Sequence, residues 1–150
     1  MGFFDGYNVA TSGMSAQRTR INVVSSNIAN AQTTHTTDGG PYIKKNVIFE
    51  ELLLDASKQK DKKENLESLN SLSLKGVGIK EILDSKDKAI LKFEPEHPDA
   101  NDDGYVAYPN INPVMEMVDL MEAMRSYEAN VSSFKTQKDM DTKTLDIIKV

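Results

Sequence analysis

Apolar residues return every three or four positions over residues 3–30, and no proline interrupts them. Tyr7, Met14, Ile21 and Ile28 form one row at a step of seven; Ala10, Gln17, Val24 and Ala31 form a second row three residues later. This layout predicts a helix with one a/d seam, in which Gln17 is the polar member. Gly13 weakens the helix, so it needs a partner along that seam. The clearest signal lies at the other end of the chain. Asn112 suits an N-cap, Pro113 the first helical position, and Glu116 and Asp119 the positive end of a helix dipole. No glycine or proline follows Pro113. The second helix should therefore run about 55 Å at 1.5 Å per residue. Met117, Met124, Val131, Lys138 and Leu145 form one of its rows, and Leu120, Tyr127, Phe134, Asp141 and Ile148 the other. Lys138 and Asp141 break the seam and are spaced to pair with each other.

Between the helices the pattern changes period. Thr33, Thr34, Thr36 and Thr37 favour extended backbone, and Asp38-Gly39-Gly40-Pro41 is a turn. Residues 42–54 read as one strand or two, with Ile43, Val47, Ile48 and Phe49. Residues 55–64 are almost wholly polar and read as a solvated loop. Leu66, Leu69, Leu72 and Leu74 resume an apolar pattern of undefined type. Residues 76–83 and 88–93 read as two strands joined as a hairpin through Asp84-Ser85-Lys86-Asp87. Pro95 and Pro98 end the second of them, and residues 105–108 read as a further edge strand stopped by Pro109. The fold class is α+β. The expected divisions are an axial helix over 1–31, a β-rich middle over 32–111 with a charged loop near 55–74, and an axial helix over 112–150. The two helices are expected to pair antiparallel in a coiled-coil-like axial domain. A helix as long as the second cannot be covered by so short a middle. It must bury its stripe on the first helix, on other subunits, or on both.

The bulk properties narrow the partners. At 39% apolar residues the chain is poorer in them than an average globular domain, and the deficit lies in the middle. A net charge of -5 gives nucleic-acid binding no support. With no cysteine there is no disulfide framework and no thiolate metal site. The N-terminus lacks the basic and apolar regions of a secretory signal, and Gly6 replaces the Ser or Thr that myristoylation needs. No apolar run is long enough for membrane insertion.

Nothing in the motifs points to catalysis or to a cofactor. Asp99-Ala100-Asn101-Asp102-Asp103-Gly104 opens like an EF-hand loop. Its twelfth position, however, is Asn110 instead of glutamate, and prolines exclude the flanking helices, so a polar turn is the better reading. His35 and His97 have no second metal ligand at a suitable spacing. Gly76-Val77-Gly78 lacks the rest of a phosphate loop. Met115, Met117, Met121 and Met124 suit an adaptable binding face, although plain core packing is the simpler account of the last three. Asn27 and Asn30 share a helix face. Asn30 suits the helix end, and Asn27 flanks the seam, where an amide can fix register; capping or surface roles are equally open.

Ser26-Asn27-Ile28-Ala29-Asn30, near the end of an N-terminal helix, resembles the signature of the flagellar axial-protein family that builds rod and hook. Glu116-Met117, Met121 and the string Ala123-Met124-Arg125-Ser126-Tyr127-Glu128-Ala129-Asn130 resemble its C-terminal region. Asp38-Gly39-Gly40-Pro41-Tyr42-Ile43-Lys44-Lys45, with Gly104-Tyr105-Val106 and Pro109-Asn110, resembles the proximal-rod members. Residues 55–74 are longer and more charged than that pattern. The resemblance implies a structural subunit of the rod that crosses the periplasm, exported by the flagellar type III apparatus without a cleaved signal peptide. The partners it implies are other copies, other rod proteins and the hook–basal-body adaptor protein. The implied assembly residues of the first helix are Tyr7, Met14, Ile21, Val24, Asn27, Ile28 and Asn30. Those of the second are Met117, Leu120, Met124, Tyr127, Asn130, Val131, Phe134, Leu145 and Ile148. Both helices are expected to be largely disordered in the monomer and to fold on the growing rod. Two other classes remain open from the residues alone: a soluble coiled-coil adaptor that closes as a dimer, and a calcium-responsive module.

Overall fold

A computed structural model describes residues 5–53 and 75–148, with backbone alone at Leu53 and Ile148. The charged loop and the leucine pattern expected over 55–74 lie outside the described residues. Helix α1 spans Asp5–Ala29, strand β1 Lys45–Leu53, β2 Lys75–Asp84, β3 Ile90–Phe93 and β4 Tyr105–Tyr108, and helix α2 spans Pro113–Ile148. Long helices thus flank a few antiparallel strands, an α+β arrangement. None of the described helices is long and apolar enough to cross a membrane.

The helix ends form as the sequence indicates. Asn112 Oδ1 accepts the amides of Val114 at 3.0 Å and Met115 at 3.4 Å, so two of the free N–H groups of α2 are satisfied. Asn30 closes α1: its side-chain Nδ2 donates to the Ser26 carbonyl at 2.9 Å, and its Oδ1 accepts from Thr33 at 3.2 Å. The turn after α1 has Gly39 and Gly40 at φ of 85° and 79°.

The strand pairing differs from the expected hairpin. β2 does not pair with β3. It runs antiparallel to β1, from Lys45 opposite Asp84 to Leu53 opposite Lys75, with a bulge between Ile48 and Phe49. The amide of Ser85 donates to the Lys44 carbonyl at 2.7 Å and continues that ladder one step. Nine residues of β1 can satisfy nearly all of the ten-residue β2, whereas β3 has only four residues to offer. β3 pairs instead with β4, Ile90 opposite Tyr108 and Phe93 opposite Tyr105. The Asp99 to Gly104 motif is the turn between them. Asn101 Oδ1 accepts the amides of Asp103 and Tyr105, and Asp99 Oδ2 accepts the Thr34 hydroxyl. Those oxygens are committed to holding the loop. At Gly104, φ is 79° and a Cβ would lie 3.0 Å from Phe93 Cε2, so glycine is required.

The β1–β2 sheet lies against α1, where Ser12 Oγ accepts the Val77 amide at 3.2 Å. The two helices pack against each other antiparallel. Tyr7 meets Phe134 and Asp141, Gly13 meets Asn130, Arg20 meets Asp119 and Glu122, and Asn27 meets Glu116. The buried apolar side chains among the described residues are all small: Ala10, Ala16, Val24, Val106 and Ala123. The interior is correspondingly thin.

A candidate assembly interface on the helix pair

The contact between the helices is shifted by one residue from the predicted seam. On α1 the second predicted row holds, with Ala10 and Val24 buried. The first row is displaced to the flank: Gly6, Gly13, Arg20 and Asn27 face α2, and Tyr7, Met14, Ile21 and Ile28 are half-buried beside them, with Tyr7 still reaching Phe134 and Asp141 of α2. On α2 the same shift occurs. Glu116, Ala123, Asn130 and Gln137 face α1, and Met117 and Met124 turn outward at 50% and 48% exposure. Helix axes approach closely only where side chains are small, so glycine and alanine lead the contact and the bulkier row is displaced. The core-packing account of Met117, Met121 and Met124 is therefore overturned, because all three are exposed. The expected Lys138–Asp141 pair also gives way. Asp141 accepts the Tyr7 hydroxyl at 2.7 Å and the Gln137 amide at 3.3 Å.

At one end of the pair sits a buried polar hub. Asn27 is 1% exposed, and every bond its amide can make is made. Nδ2 donates to the Lys45 carbonyl at 2.9 Å and to Glu116 Oε2 at 3.0 Å. Oδ1 accepts the Tyr42 hydroxyl at 3.1 Å and the Lys45 amide at 3.0 Å. Glu116 is 1% exposed, and its other oxygen takes Lys44 Nζ at 2.7 Å. One amide and one carboxylate thus tie α1, the start of β1 and the first turn of α2 together. A buried carboxylate persists only when its oxygens are satisfied in this way. The sequence left Asn27 open between a register role and a capping or surface role, and it placed Glu116 at the helix dipole and missed its partnership with Lys44. Nothing in a linear pattern connects positions so far apart.

At the other end, Tyr7 packs edge-on against Phe134, with ring centroids 4.9 Å apart, and donates its hydroxyl to Asp141. That hydrogen bond, reinforced by desolvation and by the acidic neighbours, pushes the phenol up to about 12. The phenol is held protonated by folding, so its contribution is complete below pH 10 and is lost as pH climbs from 10 toward 12. Helical circular dichroism should therefore fall across that window. In Tyr7→Phe this part of the fall should vanish, and so should the last-titrating phenolate absorbance. An unchanged profile would show that the Asp141 bond is not formed in solution.

The outward face of α2 is the most apolar feature of the helix pair. Val114, Met117, Val118, Met121 and Met124 are 68%, 50%, 49%, 53% and 48% exposed and share one side of its first three turns. Leu120, Tyr127, Asn130, Val131 and Phe134 are half-buried, Leu145 is 53% exposed, and the Ile148 side chain lies outside the described residues. Contiguous apolar surface of this kind marks a contact site.

Known proteins match the two ends and the whole. The model for flagella basal body rod proteins matches residues 8–34, and the model for the C-terminal region of flagellar basal body rod FlgEFG proteins matches residues 102–147. The flagellar basal-body rod protein FlgC of Borreliella burgdorferi is 40% identical, over 99% of each chain. The FlgC proteins of Buchnera aphidicola and Salmonella typhimurium are 36% and 35% identical, each over 98% of both chains.

Proposed function

The chain belongs to the FlgC family of flagellar basal-body rod proteins, and from that premise we propose that it polymerises through its helix pair as a proximal-rod subunit. It is a structural subunit of the rod in the flagellar basal body, not an enzyme. It assembles with itself and with other rod proteins. The relatives lend no support to a closed soluble dimer.

One observation carries the finer reading: the exposed stripe from Val114 to Met124. A rod needs interfaces that repeat without closing, so each subunit must present apolar surface beyond what its own fold buries. Methionine suits such a surface because its flexible thioether fits neighbours of different shape. In this reading residues 1–31 and 112–150 are the axial, coiled-coil-like part, and residues 32–111 form a collar around it. The remaining assembly residues, Ile21, Ile28, Val131, Leu145 and Ile148 among them, are assigned to further contacts with neighbouring subunits. Export by the type III apparatus, without a cleaved signal, delivers the chain to the growing rod. The shaft then transmits torque across the periplasm, with the hook–basal-body adaptor protein as a neighbour.

A photo-reactive amino acid at Met121 tests the interface. In isolated basal bodies it should cross-link to a second copy or to another rod subunit. Incorporation into the rod without any cross-link at this position would overturn the assignment of this face.

A further inference from the structure

The helix contact repeats at heptad intervals with matched sizes. A Cβ at Gly13 would lie 2.9 Å from Asn130 Nδ2, and one at Gly6 would lie 3.2 Å from Gln137 Oε1. Each glycine therefore makes room for one amide side chain. The same step brings Asn27 to Glu116, hydrogen-bonded at 3.0 Å. Between these rungs, Arg20 falls opposite Ala123, which is fully buried, and reaches past it to Asp119 at 3.8 Å and Glu122 at 3.5 Å. A large residue faces a small one on three rungs, and two polar groups bond on the fourth.

We propose that these four rungs are a register code: they select one axial alignment of α1 on α2 and so fix where the methionine face stands relative to the β layer. A slip of one heptad in one direction sets Arg20 against Asn130, where there is no space for both, and leaves Asn27 against Ala123 with none of its partners on α2. A slip in the other direction sets Gly13 against Ala123, which opens a void. It also carries Asn27 past the start of α2 and away from Glu116. Neither alignment keeps the hub intact, and each forfeits buried hydrogen bonds or packing. The predicted rows carry less of a preference, because, apart from Gln17, Lys138 and Asp141, a heptad shift brings one apolar side chain opposite another. The inference concerns alignment within the subunit and holds whether or not the methionine face is an assembly surface.

The test exploits the absence of native cysteine. Spin labels on Ser15→Cys and Glu128→Cys, both exposed positions on facing helices, report the alignment of the full chain by electron–electron resonance. One narrow distance is expected in the parent. Gly13→Asn should broaden it or displace it, by up to about 10 Å for a one-heptad slip. The exchanged variant, Gly13→Asn with Asn130→Gly, has the same composition and should recover both the fold and the parent distance. An unchanged distance in Gly13→Asn would overturn the proposal. If that single variant fails to fold, the exchanged variant decides: recovery supports the code, and failure to recover rejects it.

Discussion

Met121→Glu should leave the subunit folded and keep it out of the rod. Met121 is 53% exposed, with Met117 and Val118 on one side of it and Met124 on the other. A carboxylate at an exposed helix position changes stability by no more than about 0.5 kcal/mol. Buried against an apolar neighbour without a cation, the same group loses its hydration, at an effective cost of several kcal/mol. Even about 3 kcal/mol per contact weakens association roughly a hundredfold. The penalty recurs at every repeat of the interface, so the expected result is loss of the subunit from isolated basal bodies and loss of swimming in soft agar. Thermal unfolding of the free subunit should be nearly unchanged. Normal motility would show that this face stays in solvent, and a collapsed melting curve would show that it supports the fold itself.

Asn27→Leu should be the most damaging single change to the fold. The leucine fills a similar volume but strands the Lys45 amide and carbonyl and one oxygen of Glu116, and leaves the Tyr42 hydroxyl only its 3.4 Å bond with Ser26 Oγ. A buried polar group left without a partner costs about 1–3 kcal/mol. Some of these groups will turn toward water, so the net loss is about 3 kcal/mol, a large share of the 5–15 kcal/mol typical of a domain. Urea unfolding would measure it. Pairing this variant with Glu116→Gln separates the hub from general packing. Groups sharing one network couple by about 0.5–3 kcal/mol, whereas independent sites add. Strict additivity would mean that Asn27 and Glu116 do not act together.

Both predictions rest on features that were unequally visible in the chain. The helix ends were legible because their signals are local. Asn112 and Pro113 start α2 through bonds to residues two and three positions on, and Asn30 closes α1 through Ser26. The turn at Asp38 to Pro41 and the segments that become β1 to β4 were equally local. Family resemblance was legible too, because Ser26 to Asn30 and Ala123 to Asn130 are short contiguous strings.

Strand pairing and the facing sides of the helices were not legible. The sequence joins residues 76–83 to 88–93 because a polar turn lies between them, yet β2 takes β1 across the intervening chain and β3 takes β4. A turn signal says where the chain reverses but not which strand offers a matching ladder. The predicted seam followed apolarity and chose the Tyr7 and Met117 rows. The tertiary contact follows closest approach and chose the neighbouring rows of Gly13 and Ala123, which sent the methionines outward. Periodicity fixes the direction of a helix face to within about one residue, or 100° of rotation. The sequence by itself therefore determined that two long helices exist, where the first ends and the second begins, and which family they belong to. Tertiary structure alone decided which side of each meets the other. That choice depends on side-chain volume and hydrogen-bond partners across the contact, and neither is a property of one strand of sequence.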